Sequence, residues 1–466
     1  MRALWTHREA ELATGGQAVG EWDVNGLSID TRSLETGQLF VPLKDIRDGH
    51  DFIPMAYEKG AGAVISEHPV SDTPALIVPD GLKALEDLAI AARKRSSAVR
   101  IAVTGSVGKT SVKELIATMC RAAGNTHASI KSYNNHWGVP LTLAGMAQDT
   151  KYGVFEMGMN HAGELAALSK IVRPNIALIT KIAPAHMAHF ENIEGIAKAK
   201  AEIFASLEKG GTAIIPADSP HASLLAQQAG NVNVLRFGFD EHADARILSS
   251  SNTPSGSRAR MDILGETVDV EIPLVGAHWI ENVAVALLVV KVAGVDLELA
   301  SNALKTQGNI SGRGQVFNLC VDQKQIRLID ESYNANPESM RAAIAVLGLN
   351  RGRKIAVLGD MLELGDDEAA MHVDLFGPLQ DAKIDLVVTC GECMKNLNDV
   401  LPKAVNGGWY KDHNACLDGL ISSVKDGDIV MVKGSNASGM GKLVASLKQY
   451  SHANNNSNKK DKTHVL

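Results

Sequence analysis

The chain is poor in aromatic residues, in cysteine and in long apolar runs, and each shortage excludes something. Aromatic side chains make up 4% of the 466 residues, so the cores must be built from Ala, Val, Ile and Leu. Five cysteines, an odd number scattered over a long chain, argue against a disulfide framework and for a reducing cytosol. Cys390 and Cys393 stand in C-x-x-C spacing, but no second pair accompanies them, so the match is read as incidental. The longest apolar run, Val283 to Val290, is far too short to span a bilayer. The N-terminus lacks the apolar core of a signal peptide. A soluble, cytoplasmic protein with no membrane insertion is expected. Sustained basic stretches are missing outside the C-terminal tail, and the formal net charge is −7, so nucleic acid is not an expected partner.

What is present suits ordinary α/β material in about three domains. Residues 1 to about 97 carry short strand signals and many turns. From about 98 to 310 strands and helices alternate: Gly153 to Glu156 reads as a strand, 162–171 as a helix and Ile176 to Thr180 as a strand. This alternation predicts a parallel sheet with crossover helices. A Gly-rich hinge, Gly308 to Gly314, opens a third unit (311–450) with strands at Lys354 to Gly359, Asp385 to Thr389 and Asp428 to Val432. Ligand contacts are expected in loops at the strand C-termini. The Asn- and Lys-rich segment 451–466 reads as a disordered tail.

The run Thr104-Gly105-Ser106-Val107-Gly108-Lys109-Thr110-Ser111 carries the most information. It follows an apolar strand pattern and precedes the start of a helix, Val112 to Ile116. Strand, glycine turn, Lys-Thr and helix form a nucleotide-phosphate cradle, with backbone N–H groups and the helix N-terminus favouring anions. Lys109 would reach the β/γ-phosphates and Thr110 would offer its hydroxyl to Mg²⁺. A Gly-rich turn without a ligand needs glycine, but it does not need Lys-Thr at its end. The spacing is shorter than the common G-x-x-x-x-G-K-[ST] form, which points away from generic phosphate-loop NTPases.

Glu156 closes an apolar strand one crossover later, where an acid commonly serves Mg²⁺. Gly158 and Asn160-His161 beyond it read as a loop bent around a ligand, against the plainer reading of a surface carboxylate. His186 falls just past the strand 176–180, on the same edge of the sheet. On a helix from Ile193 to Leu207, about 100° per residue puts Lys200 within the apolar stripe, with Lys198 and Glu202 outward. Two readings stay open for Lys200. Its stem snorkels to the edge, or its uncharged amine has reacted with CO₂ to give a carbamate able to ligate a metal.

Together these residues resemble the Mur ligases, the ATP-dependent amide-forming enzymes of peptidoglycan precursor synthesis. The family's phosphate loop has the same short form. Its middle domain carries a strand-terminal Glu, a later His and a carbamylated Lys, matching Glu156, His186 and Lys200. Its adenine-side motif is similar to Gly276-Ala277-His278-Trp279-Ile280-Glu281-Asn282, with His278 and Asn282 matching. Arg313 matches an Arg that opens the family's third domain, and Asp330 an Asp that closes that domain's first strand. Within the family, Asp330 to Pro337 resembles the D-x-Y-N-A-N-P signature of the last-acting member. Tyr133 to Pro140, Leu358 to Gly365 and His372 resemble that member too. One departure stands out: Met187-Ala188 follows His186 where the family has Leu and an acidic residue.

The resemblance implies three domains: a small mixed α/β UDP-sugar domain (1–97), a central ATP-binding parallel-sheet domain (98–310) and a Rossmann-like domain (311–450) that closes with the dipeptide. It implies ATP with two Mg²⁺ ions, one at Thr110 and one at Glu156, His186 and carbamylated Lys200. It implies ATP contacts from Gly105 to Ser111, His278, Asn282, Arg313 and Asp330. UDP-N-acetylmuramoyl-tripeptide would meet Ser28, Asp30, Arg32, Gly49, His50, Asn134 and Asn135. D-alanyl-D-alanine would meet Asn336, Asp360 and Lys433. A monomer is expected. The tripeptide carboxylate would be activated as an acyl phosphate and attacked by the dipeptide amine, with no side chain evident as a general base. A sister Mur or folylpolyglutamate-type ligase is the nearest alternative. A nucleotide-switch protein is a more distant one, which would need neither Lys200 on an apolar face nor two accessory domains.

Overall fold

The computed structural model describes residues 3–461, apart from 71, 72, 131, 185–188, 254 and 309. Its architecture is α/β, with three main sheets of five, nine and six strands following one another along the chain. Among the described residues no helix is long and apolar enough to cross a membrane.

The five-stranded sheet runs in spatial order Gln17–Val19, Ala75–Ile77, Ala63–Ser66, Leu39–Phe40 and Leu27–Ser28, parallel except for its first pair. Helix Gly81–Arg95 follows it. Asp80 caps this helix by accepting from the Lys83 N–H, and Ala84, Leu85, Leu88, Ala89 and Ala92 form its buried stripe, the spacing of a single helix face. That stripe packs on helices Gly138–Ala144 and Glu164–Val172 of the next unit. One continuous apolar core therefore includes Leu39, Ile65 and Leu85 together with Phe155, Ile179 and Ile203. The Trp5 indole donates to the Ala144 carbonyl at 2.9 Å, and the Arg95 guanidinium lies 3.7 Å from the Trp5 ring centroid.

The nine-stranded sheet has a parallel part in the order Asn233–Gly238, Thr212–Pro216, Ile176–Ile179, Val99–Thr104, Tyr152–Glu156 and Thr126–Ala128. An added edge, Ala245–Thr253, Gly256–Ile263 and Glu266–Ile272, is antiparallel within itself and joins Asn233–Gly238 through a short parallel pairing. Val99–Thr104 lies inside the sheet, with Ile101 and Val103 in the core on one face and Ala102 in the core on the other. Burial on both faces explains its unbroken apolar run. After an excursion to the edge strand Thr126–Ala128, the chain places Tyr152–Glu156 on one side of it and Ile176–Ile179 on the other. This is the topological switch point, where the carboxyl ends of strands open a crevice.

The six-stranded sheet is ordered Gln315–Val321, Lys324–Glu331, Ile429–Lys433, Lys354–Gly359, Leu386–Cys390 and Asn406–Tyr410. Its first pair is an antiparallel hairpin and the rest is parallel. Two apolar clusters, one on each face, are made of residues after position 312. The final helix runs Met440–Asp461, so the segment expected to be a tail from Ser451 opens inside a helix. Ser451 is buried there, and its hydroxyl accepts from the Cys320 N–H at 2.9 Å. Residues 462–466 lie outside the described residues.

Candidate active site

The loop between Val99–Thr104 and helix Lys109–Ala123 is shaped by two glycines with positive φ, +151° at Gly105 and +85° at Gly108, a region that side chains avoid. A Cβ at Gly105 would lie 1.9 Å from Thr180 Oγ1, and one at Gly108 2.9 Å from Asn282 Oδ1. The next strand holds the loop in place. Ser106 donates its N–H to the Lys181 carbonyl and its hydroxyl to the Ala183 carbonyl, both at 2.8 Å. The Thr180 hydroxyl donates to the Val107 carbonyl. Lys109 curls over the loop, its Nζ donating to the Gly105 carbonyl at 2.7 Å. Burial pushes this ammonium down, with Glu156 opposing the shift and Arg313 reinforcing it.

Glu156 ends its strand almost fully buried, at 1% exposure. Its Oε1 accepts from Asn134 Nδ2 at 2.8 Å, whereas its Oε2 has no hydrogen-bond partner. A buried, unpartnered carboxylate oxygen is costly unless a ligand fills the position. Gly158 fixes Asn134: its N–H donates to the Asn134 carbonyl at 2.7 Å, and a Cβ there would sit 2.9 Å from the amide group. Lys200 is 2% exposed, while Lys198 turns outward to Glu194 at 2.7 Å. The helix face read from the sequence is correct, although regular helix ends at Ala201 and a 3-10 turn, Glu202–Phe204, follows. Burial first, and then Lys109, pushes the Lys200 amine well below its usual range. Among the described residues no three His, Cys, Asp or Glu side chains converge as a metal cage. A cation at Glu156 would draw its remaining oxygens from Thr110, from phosphate or from a modified Lys200. His186 lies outside the described residues.

The facing wall belongs to the third sheet. Arg313 donates to Thr110 Oγ1 at 3.1 Å and stacks on the Tyr333 ring at 4.4 Å. Tyr333 donates its hydroxyl to Ser132 Oγ, which lies 3.2 Å from Thr110 Oγ1. Lys433, buried, donates to the Asn334 carbonyl at 2.9 Å. The Glu331 carboxylate stands 3.7 Å from Lys433 Nζ, and burial raises it more than Lys433 and Arg313 hold it down. Lys181 and Glu338 join the two walls at 2.7 Å. Between the walls lies a cavity of about 370 Å³. His278 and Asn282, on the first turns of helix Ala277–Val292, line its other end. His278 is pushed down to about 4 by burial first, then by Lys433 and Lys181, so its imidazole is neutral near pH 7.

The cavity thus gathers the loop residues 106–111, Asn134, Glu156, His278, Asn282, Arg313, Asn336 and Lys433. It does not gather all the expected residues. Strand alternation turns Asp330 away and Glu331 inward; Asp330 accepts from the Ser332 hydroxyl at 2.6 Å and lies 4.0 Å from Lys448. Asn336 caps helix Pro337–Gly348 by accepting from the Ser339 N–H. Asn135 accepts from the Gly138 N–H at 2.9 Å, serving the helix start. Asp360 is off the cavity wall, accepting from the Met394 N–H at 2.8 Å. Ser28, Asp30, Arg32, Gly49 and His50 stay with the first sheet. There Ser28 Oγ donates to the Asp30 carbonyl, Asp30 pairs with Arg32 at 2.7 Å, and His50 Nδ1 lies 2.6 Å from Asp48. Gly49 packs so tightly on Leu43 that a Cβ would come within 2.6 Å of its backbone. Ser132, Thr180, Glu331 and Tyr333 were not singled out by sequence. Only Glu331 and Tyr333 carried a signal, as neighbours of Asp330 within one polar strand-end motif.

Comparison with known families matches residues 103–290 to the Mur ligase middle domain and 312–436 to the Mur ligase, glutamate ligase domain. A UDP-N-acetylmuramoyl-tripeptide--D-alanyl-D-alanine ligase of Rickettsia prowazekii is 32% identical, over 95% of this chain and 99% of that protein. The enzyme of the same name from Escherichia coli is 35% identical, over 91% of this chain and 94% of its own. A crystal structure of MurF from Acinetobacter baumannii superposes with a TM-score of 0.84 at 29% identity, covering 96% of this chain and 99% of that one. The short phosphate loop, the buried Glu156 with its free oxygen and the three-sheet arrangement agree with these matches along nearly the whole length, and the chain belongs to the Mur ligase family.

Proposed function

We propose that the chain is an ATP-dependent ligase that joins D-alanyl-D-alanine to UDP-N-acetylmuramoyl-tripeptide, completing a peptidoglycan precursor. The observation that carries this reading is the cavity between the phosphate loop and the third sheet, in which Lys109, Glu156 and Arg313 converge. The named relatives over nearly the full chain support the choice of substrates.

A free carboxylate must be activated before an amine can attack it, and the carboxylate and the γ-phosphate repel each other. Lys109 supplies positive charge at the β/γ-phosphates from a loop already set by Thr180. Arg313 adds a second cation from the opposite wall, and neutral His278 with Asn282 takes the base. Preorganised charge and positioning supply most of phosphoryl-transfer catalysis. The oxygen donors at Glu156 and Thr110 fit Mg²⁺, a hard cation that prefers oxygen ligands. When bound there, Mg²⁺ supplies charge neutralisation between phosphate and carboxylate. We assign Lys200 as a carbamate on two grounds: its amine is buried beside Lys109, which disfavours its charge, and among the described residues no carboxylate pairs with it. The tripeptide carboxylate would take the γ-phosphoryl group to give an acyl phosphate with ADP leaving. Closure of the third sheet's wall would exclude water from that intermediate.

The test is phosphate release by purified protein with ATP, omitting UDP-N-acetylmuramoyl-tripeptide and D-alanyl-D-alanine in turn. Release that depends on both supports the reading. ATP consumption unchanged by either omission overturns it.

A further inference from the structure

We propose that Lys113 is a positioning residue for the reaction, acting from behind the cavity through Ser129 on Glu156 and Asn134. The inference rests on the ligase reading above. Lys113 stands one turn beyond Lys109 on helix Lys109–Ala123 and is fully buried, yet it is not among the residues that line the cavity. Its Nζ donates to the Ser129 carbonyl at 2.8 Å and pairs with the Glu114 carboxylate. A buried ion pair stabilises a fold little more than an apolar side chain of similar volume would. Stability alone therefore does not explain a lysine here.

The strand ladder beside it does. Strand Thr126–Ala128 pairs in parallel with Tyr152–Glu156. The Tyr152 N–H donates to the Asn125 carbonyl at 3.1 Å, and the Ser129 N–H donates to the Val154 carbonyl at 3.0 Å. Evenly spaced parallel bonding would next bring the Glu156 N–H to the Ser129 carbonyl. Lys113 takes that carbonyl instead. The Glu156 N–H turns to the Ser129 hydroxyl at 3.1 Å, so this buried donor stays paired. The strand ends at Ala128, and the chain leaves the sheet for the cavity, where it presents Ser132 and Asn134.

Two bonds close the arrangement. Asn134 Nδ2 donates to Glu156 Oε1 at 2.8 Å, and the Gly158 N–H donates to the Asn134 carbonyl at 2.7 Å. Glu156 is thus held at its backbone by Ser129 and at its carboxylate by Asn134, and Lys113 fixes where that segment leaves the ladder. The helix that carries Lys113 also carries Lys109 and Thr110 at its start. Lys113 therefore sets the spacing between the phosphate cradle and the Glu156 carboxylate, while the cradle itself is shaped by Gly105, Gly108 and Thr180 without it.

The test measures kcat for ligation together with the affinity and stoichiometry of a fluorescent ATP analogue. Lys113→Met fills the same space without a donor. Its kcat should fall at least about tenfold, since misplacing reacting groups by about 1 Å can cost about 100-fold. The analogue should bind at wild-type stoichiometry and within about threefold of wild-type affinity. Lys113→Arg, which keeps a donor, should recover part of the kcat. Ser129→Ala should also lower kcat selectively, and the double variant should be no slower than the slower single one, because both changes cut one path. A kcat within threefold of wild type in folded Lys113→Met overturns the proposal. Parallel loss of kcat and nucleotide binding also overturns it, because Lys113 would then only support the helix, and so do fully additive losses in the double variant. If Lys113→Met does not fold, Ser129→Ala decides: a selective loss of kcat supports the proposal and an unchanged kcat overturns it. Wild-type protein that releases no phosphate with both substrates present overturns the ligase reading instead.

Discussion

Lys109, partly buried, and Lys200, 2% exposed, are lysines close enough to act on each other's charge, and the chain keeps them for different ends. Lys109 faces Glu156 and donates only to its own loop, so its charge is free to meet phosphate. Lys109→Ala should lower ligation by at least about 100-fold, the scale of losing one preorganised charge. The variant should still unfold cooperatively, because the ammonium's hydrogen bond to the Gly105 carbonyl stays within the loop; retained turnover would refute the role. Lys200→Ala should be inactive yet partly restored by acetate or propionate, which can occupy the place of a carbamate. Failure of every short carboxylate to restore activity in a folded variant would remove the carbamate assignment. His278 gives a pH prediction. Its folded value of about 4 lies below the ordinary 6.5, so the unfolded chain binds this proton first as pH falls. The contribution of this group to stability is therefore present above pH 6.5 and lost progressively between 6.5 and about 4. His278→Asn should show a smaller drop in unfolding midpoint across that window, measured by circular dichroism.

At the scale of elements, the phosphate loop depends on the strand beside it as much as on its own glycines. Gly105→Ala would press a methyl group into the Thr180 hydroxyl while holding a residue at φ +151°. Strain of about 1–3 kcal/mol should weaken nucleotide binding about tenfold or more. Titration of a fluorescent ATP analogue reads this, and unchanged affinity would show that the loop relaxes freely. Much of this neighbourhood was legible in the sequence because it is local. Apolar runs marked the parallel strands, glycine and Lys-Thr marked the loop, and helical spacing put Lys200 inside its helix. Contacts across the cavity were not legible, since Ser132 meets Tyr333 over 201 positions and no local pattern encodes that. Asp330 and Glu331 show a second limit. The motif located the strand end, but only the pairing of Asp330 with Val432 and Gln315 decides which acid faces the cavity. Cys390 and Cys393 are both free cysteines: Cys390 is buried, while the Cys393 thiol donates to Glu368 at 2.9 Å.

At the scale of the molecule, the three sheets are not three equal bodies. The first shares its core with the second through helix Gly81–Arg95, whereas the third fills both of its faces with its own residues. The polar contacts from the third sheet to the phosphate-loop wall are of another kind. Lys181 and Glu338 are 42% and 41% exposed, and an ion pair of that exposure is worth at most about 1 kcal/mol. Such contacts can break and reform during turnover, which suits a wall that must admit one substrate after another. Separate stabilities should follow. A fragment of residues 312–461 should fold alone and unfold cooperatively, because it carries both of its apolar clusters. A fragment of residues 1–97 should not, because Leu85 and Leu88 would lose their partners, each worth about 1.5–3 kcal/mol when fully buried. Calorimetry of the full chain should then resolve two transitions, one matching the 312–461 fragment, with nucleotide raising the other. A single transition, together with an unfolded 312–461 fragment, would mean that the third sheet draws its stability from the cavity wall and cannot move independently of it.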